Sequence, residues 1–285
     1  MTEPVKRVYA FGKDAQGNNV TEGNTNMKAT LGGKGANLAE MANIGLPVPP
    51  GFTISCQTCM EYANAGNVWP EGVLDTIHEY RLDLEQRIGK KIGDAEDPLL
   101  VSVRSGAPMS MPGMMDTILN LGLNDQSIHG LIKQTENPRF AWDSYRRFIQ
   151  MFSNVVMGLD GDLFENAINA MKAVRGVSSD TDLTADDLQE LVGEFKGIFT
   201  ENVSGEKYPS LVVDGKVAFP QDPMVQLKLA IEAVFGSWNN PRAVLYRKKN
   251  KISDDLGTAV NVQCMVFGNK GNTSATGVAF TRNPA

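Results

Sequence analysis

The stretch with the clearest chemical potential is Leu31-Gly32-Gly33-Lys34-Gly35-Ala36-Asn37-Leu38-Ala39-Glu40-Met41. Three glycines surround one lysine, and a helical pattern follows at once, with Leu38, Met41 and Ala42 able to share a face. Gly45 is placed to end that helix, and Pro47 cannot continue it. Glycines let backbone N–H groups close on an anion, and the start of a helix adds the positive end of its dipole. The lysine supplies a full charge for phosphate oxygens. The spacing is not that of a Walker A loop, which needs Gly-x-x-x-x-Gly-Lys-Ser/Thr. Taken alone, the pattern reads equally well as an ordinary turn into a helix.

A second stretch adds a second cation. In Asp97-Pro98-Leu99-Leu100-Val101-Ser102-Val103-Arg104-Ser105-Gly106-Ala107, the apolar run reads as an inner strand introduced by proline. Alternation sends Leu99, Val101 and Val103 one way and Ser102 and Arg104 the other. An arginine ending so apolar a strand is expected to need a partner, because an unpaired buried guanidinium is costly. That partner is either a structural carboxylate or an anion held at the strand's exit. The following residues, Ser105 to Thr117, are rich in Gly, Ser, Pro and Met with one charge. They read as a lid or phosphate-covering loop, although methionines there also fill core gaps.

Bulk properties narrow the class. The chain has 285 residues, 42% hydrophobic and 21% charged, which is ordinary for a globular protein and long enough for one large domain or two. A net charge of −6 argues against a general nucleic-acid binder. The basic cluster Arg247-Lys248-Lys249 with Lys251 reads as a solvated helix end. No run is long enough to span a bilayer, and residues 1–7 lack signal-peptide and transit character, so a cytoplasmic location without membrane contact is expected. An odd count of three cysteines fits a reducing compartment. Cys56 and Cys59 have no further ligands at zinc spacing and read as half-buried thiols at a helix start; no metal site is assigned. His78, beside Glu79 in a helical pattern, reads as solvent-facing rather than catalytic.

The elements that must position the two cations follow from patterning. Val8–Phe11 reads as a strand or hairpin arm, and Phe52–Ile54 as a short strand after a proline-rich turn. Helical patterns run around Met60 and Tyr62 and from Val73 to Ile88. Residues Gln126 to Asn240 are mainly helical, with Asn137-Pro138 and Thr184-Ala185-Asp186-Asp187 as helix starts. Asp214-Gly215 is the turn of a hairpin spanning Leu211–Phe219. Finally, Thr258–Phe267 alternates and is expected to pair with a strand from Thr276 to Arg282 as a two-stranded ribbon, which looks like a domain cut short. The expected organisation is a first lobe at 1–125, a helical subdomain at 126–209, a return to the first lobe at 210–254, and an incomplete second lobe at 255–285.

Leu31-Gly32-Gly33-Lys34-Gly35, Val101-Ser102-Val103-Arg104-Ser105-Gly106, the Ser110-Met111-Pro112-Gly113-Met114-Met115-Asp116-Thr117 loop and Thr281-Arg282-Asn283-Pro284 together closely resemble the pyruvate, phosphate dikinase family. The resemblance covers essentially the whole chain and only that family's N-terminal domain. It implies an α+β, ATP-grasp-like nucleotide-binding domain with a helical inserted subdomain and a truncated C-terminal lobe. It also implies conversion of ATP, phosphate and pyruvate to AMP, diphosphate and phosphoenolpyruvate through a phosphohistidine in a missing domain, so that the chain alone is expected to be inactive. Lys34 and Arg104 would then act on the ATP phosphates, with Gly32, Gly33, Ser105, Gly106 and Arg282 counted with the same site. Adenine would lie near Gln263, Met265 and Val266. Mg²⁺ ligands are expected beyond residue 285, and a homo-oligomer is expected at full length. Many family members carry arginine where this chain has Pro108, which puts a phosphate contact there in doubt. Two alternatives stand beside this: a fragment of phosphoenolpyruvate synthase or a related dikinase, and a stand-alone nucleotide-binding module without catalysis.

Overall fold

The computed structural model describes residues 5–271 and 273–279. The chain begins β1 (Val8–Phe11), α1 (Lys28–Asn43), β2 (Gly51–Ile54), α2 (Cys56–Asn64) and α3 (Val73–Ile88). Short β3 (Lys91–Ile92) and β4 (Pro98–Leu99) precede β5 (Val101–Gly106) and β6 (Thr117–Leu121). Four helices follow: α4 (Ser127–Thr135), α5 (Pro138–Phe152), α6 (Gly161–Arg175) and α7 (Ala185–Asn202). The hairpin β7 (Val212–Val213) and β8 (Lys216–Val217), then α8 (Pro223–Ser237), α9 (Pro241–Asn250) and β9 (Ala259–Cys264) complete an α+β chain. No helix among the described residues is long and apolar enough to cross a membrane.

One sheet runs β1-β2-β9-β5-β6, with every neighbouring pair antiparallel. The strand latest in sequence, β9, is its centre: Val262 lies opposite Phe52 on one side and Val103 on the other. This corrects the expected ribbon. Residues 274–279 form no strand, and the rest of the expected partner, with Arg282, lies outside the described residues. Strand β9, which follows residue 255, is thus part of the same sheet as β1, β2, β5 and β6. Both of its edges are hydrogen-bonded and all six residues are buried.

Alternation divides the sheet's two faces. Phe52, Val103 and Val262 join the main core with Leu227, Ile231 and Val234 of α8. Thr53 and Asn261 point the other way, toward α1, where the Thr53 hydroxyl donates to the Asn261 side-chain oxygen at 2.9 Å. Helix α1 meets this face closely and buries Leu31, Gly35, Ala36, Ala39 and Ala42. Of the expected stripe of Leu38, Met41 and Ala42, only Ala42 lies on this face: Met41 is exposed and Leu38 half-buried. Small side chains form the inner face because the helix backbone lies almost against the sheet.

The helical stretch is fixed by its caps. Asn137 accepts from the Phe140 N–H ahead of Pro138, and Thr184 and Asp187 form a reciprocal capping box. Asp214 and Gly215 both have positive φ, as the mirror-image hairpin turn requires. Just past that hairpin, Phe219 inserts among Tyr145, Phe148, Phe152 and Phe199 with ring centroids 5.3 to 6.3 Å away. These tilted contacts tie the hairpin to α5 and α7.

Two further expectations are corrected. Cys56 and Cys59 are fully rather than half buried, at 2% and 1% exposure. Arg247 is not part of a solvated helix end but is 1% exposed, stacked on Trp238 and paired with Asp254. Lys248 and Lys249 do face solvent.

Candidate functional site

Helix α1 is two helical segments meeting at Gly32, whose φ of 67° and ψ of 173° break the helix. A Cβ there would sit 1.4 Å from the Gly106 carbonyl oxygen, so only glycine lets the kink touch the end of β5. The next residue completes the junction: the Gly33 N–H donates to the Ala107 carbonyl at 2.9 Å. That N–H is consequently spent on holding the loop and is not free for an anion. The glycines thereby weld two backbones together, and the charges at this junction are carried by side chains.

Those side chains meet in a cavity of about 450 Å³. Helix α1 contributes Lys28, Gly33, Lys34 and Asn37; the exit of β5 contributes Ser105 and Gly106; loop 107–115 closes the remaining side. No carboxylate lines it, so the walls offer cations, hydroxyls and amides to a ligand that must supply the negative charge. The Lys34 ammonium donates to the Ser105 carbonyl at 2.9 Å. Burial, and then the nearby positive charge of Arg104, hold Lys34 below its ordinary value. This mutual repulsion leaves two cations poised for a shared anion.

Arg104 arrives by register. It pairs with Asn261, whose side chain faces α1, so the guanidinium emerges on the same side of the sheet as Lys34. It is exposed, and no carboxylate pairs with it among the described residues. The expectation of a buried arginine is corrected, and of its two expected partners the structural carboxylate is not found among the described residues: the strand's apolar character ends one residue before Arg104. Arg104 borders the cavity of Lys34 electrostatically but is not among the residues that line it.

The remaining site residues divide. Gly33, Lys34, Ser105 and Gly106 share this cavity, while Gly32 lies beneath it against Gly106. Met265 and Val266 line a different, mainly apolar cavity of about 470 Å³ with Pro47, Pro49, Leu99 and Leu100. Gln263 is buried and its side-chain amide donates to the Pro49 carbonyl. The register explains the separation: Gly106 pairs with Ala259 at one end of β5, and Val101 with Cys264 at the other. Five strand steps, at about 3.3 Å each, put roughly 16 Å between these ends. Arg282 lies outside the described residues.

Three contributors escaped sequence reasoning. Asn37 lies one helical turn from Lys34, a spacing that would have revealed it. Lys28 precedes the kink, so no helical periodicity links it to Lys34. The helix corner at 237–243 carries loop 107–116: Asn240 donates to the Met114 carbonyl at 3.1 Å, and Arg242 pairs with Asp116 at 2.7 Å. Burial raises the Asp116 pKa, and the pairing with Arg242 opposes that shift without cancelling it. Pro108 lines the cavity and brings no charge to it.

The family model described as pyruvate phosphate dikinase, AMP/ATP-binding domain, matches residues 28–79 and 67–285. The chain is 58% identical over 264 residues to pyruvate, phosphate dikinase of Clostridium symbiosum, covering 93% of this chain and 29% of the relative. It is 54% identical over 285 residues to the chloroplastic pyruvate, phosphate dikinase of Flaveria pringlei, covering 100% of this chain and 28% of that one. Over 279 residues it is 54% identical to pyruvate, phosphate dikinase 2 of Zea mays, covering 98% and 30%. The chain thus spans less than a third of the length of these relatives.

Proposed function

The chain belongs to the pyruvate phosphate dikinase AMP/ATP-binding domain family, and we propose that it binds the triphosphate of ATP in the cavity between α1 and loop 107–115. Lys34 and Arg104 neutralise the phosphate oxygens in this reading, with Lys28, Asn37 and Ser105 as further polar contacts. The observation that carries it is the coupling of Lys34 to Arg104 beside a cavity free of carboxylates. Phosphoryl transfer asks a protein chiefly for positioning and for charge neutralisation, and paired cations on two rigid elements supply both.

Within the whole enzyme, the proposed activity is that of the relatives' name: ATP, phosphate and pyruvate to AMP, diphosphate and phosphoenolpyruvate. Neither His78 nor His129 suits a phosphohistidine relay from this cavity, since neither lines it. Mg²⁺ has no fitting donor set here. The cavity lacks carboxylates and no group of three acidic, His or Cys ligands exists among the described residues, so no step is assigned to a metal. An ATP-grasp arrangement, with residues 126–209 as an inserted helical subdomain, is part of the same proposal. The three buried free thiols favour a reducing compartment such as the cytoplasm. Pyruvate, phosphate and an oligomeric assembly are matters for the full-length enzyme.

Equilibrium dialysis of labelled ATP against the 285-residue chain and its Lys34→Ala and Arg104→Ala variants tests the site. Each substitution should weaken binding about ten- to a hundredfold, the worth of a charged hydrogen bond. Equal affinity in all three would remove the assignment.

A further inference from the structure

We propose that Trp238, clamped by Arg247, is a positioning residue for the nucleotide cavity, acting through Met111. The proposal rests on the nucleotide reading above. Trp238 is 2% exposed, and the Arg247 guanidinium lies 4.0 Å from its ring centroid. Arg247 also donates to the Trp238 carbonyl and pairs with Asp254 at 2.7 Å, while the indole N–H donates to the Asp254 carbonyl at 2.9 Å. The ring is thereby held from its face, its edge and its own backbone.

Burying a guanidinium opposes folding unless its hydrogen bonds are met, and here the bonds that meet them also fix the indole. The product is a rigid indole shelf. Met111, 7% exposed, belongs to the same small buried cluster as Trp238 and Ala243, separate from the main core. Met111 also lines the cavity that holds Lys34. One thioether side chain therefore belongs both to the packed cluster of Trp238 and to the wall of the ligand space. Two residues earlier in the loop, Met109 is 54% exposed, so the shelf anchors the loop's second half while its tip projects over the cavity. A ligand that draws the loop down must press on Met111 and hence on Trp238.

The test uses the 285-residue chain labelled with 5-fluorotryptophan, whose fluorine resonances are assigned by Trp→Phe substitution at 69, 142 and 238. ATP is titrated, and binding is measured in parallel by dialysis. The expected result is a saturable shift of the Trp238 resonance with the dialysis Kd, while Trp69 and Trp142 stay still. Met111→Ala should abolish that shift and weaken ATP binding about tenfold. Arg247→Met should do likewise, with partial recovery in Arg247→Lys. If ATP binds but the Trp238 resonance is unmoved, and Trp238→Phe and Met111→Leu keep the original Kd, the positioning role is refuted while the nucleotide site stands. If dialysis detects no ATP on the unmodified chain, the nucleotide reading falls and this role falls with it.

Discussion

The Lys34 ammonium rests 2.9 Å from the Ser105 carbonyl oxygen, so the helix cation is tied to the strand residue that directly follows Arg104. One hydrogen bond joins two segments 71 positions apart in sequence, and both positive charges stand on the same face of the sheet. Its acceptor is a neutral carbonyl, a weaker partner for an ammonium than a phosphate oxygen. An incoming anion can therefore outcompete it.

Arg104 separates binding from stability. It is exposed and has no ion pair among the described residues, so Arg104→Ala should change unfolding free energy by no more than ~0.5 kcal/mol. Urea denaturation should show this while ATP affinity falls. A large loss of stability would return Arg104 to a structural role.

The depressed Lys34 pKa gives ATP binding an alkaline limb. As pH rises through the folded-state value, below the ordinary 10.5, the ammonium loses its proton and affinity should drop sooner than for an ordinary lysine. Arg104→Ala removes a positive neighbour and so should move this limb to higher pH. Stability has the opposite sign: between the folded pKa and 10.5 the unfolded chain binds more protons, so the small cost of partly desolvating charged Lys34, whose residue remains exposed, is relieved as pH rises. Dialysis and urea unfolding as functions of pH check both limbs; an unmoved binding limb in Arg104→Ala would contradict the coupling.

Gly32→Ala should be among the most damaging single changes in the chain. The added Cβ would lie 1.4 Å from the Gly106 carbonyl at a positive φ, so the kink and the end of β5 must separate. A loss of more than ~3 kcal/mol, or insoluble protein, is expected. Gly17→Ala is the control: φ is also positive, but a Cβ there would meet nothing within 4 Å, so only the backbone cost of about 1 kcal/mol applies. Equal losses in the two variants would mean that the Gly32–Gly106 contact is unimportant.

The cysteines should be silent in the native protein. Burial pushes Cys56 up to about 12, Cys59 to about 11 and Cys264 to about 12. At pH 8 the thiolate fraction is then roughly a thousandth or less, against about a quarter for an unperturbed thiol. A disulfide reagent should count three thiols in guanidinium and react only slowly without it. Rapid native reaction of one thiol would show that its site opens.

What was legible in the sequence is whatever is decided within a few residues. Asn137 before Pro138, Thr184 with Asp187, and Asp214-Gly215 each create their element from hydrogen bonds or dihedral preferences internal to a short segment. The alternation of Val260, Asn261, Val262 and Gln263 announced a strand, and the glycine and arginine motifs marked the residues that carry charge. Partners are another matter. An alternating strand fits any neighbour with matching faces, and only the packed chain placed β9 between β2 and β5, joining Thr53 to Asn261 across 208 positions. The same packing spent the Gly33 N–H on Ala107, left Arg104 in solvent and buried Arg247 against Trp238. Residue type dictates what a group is able to do; the closure of distant backbones on one another decides which groups remain free to do it.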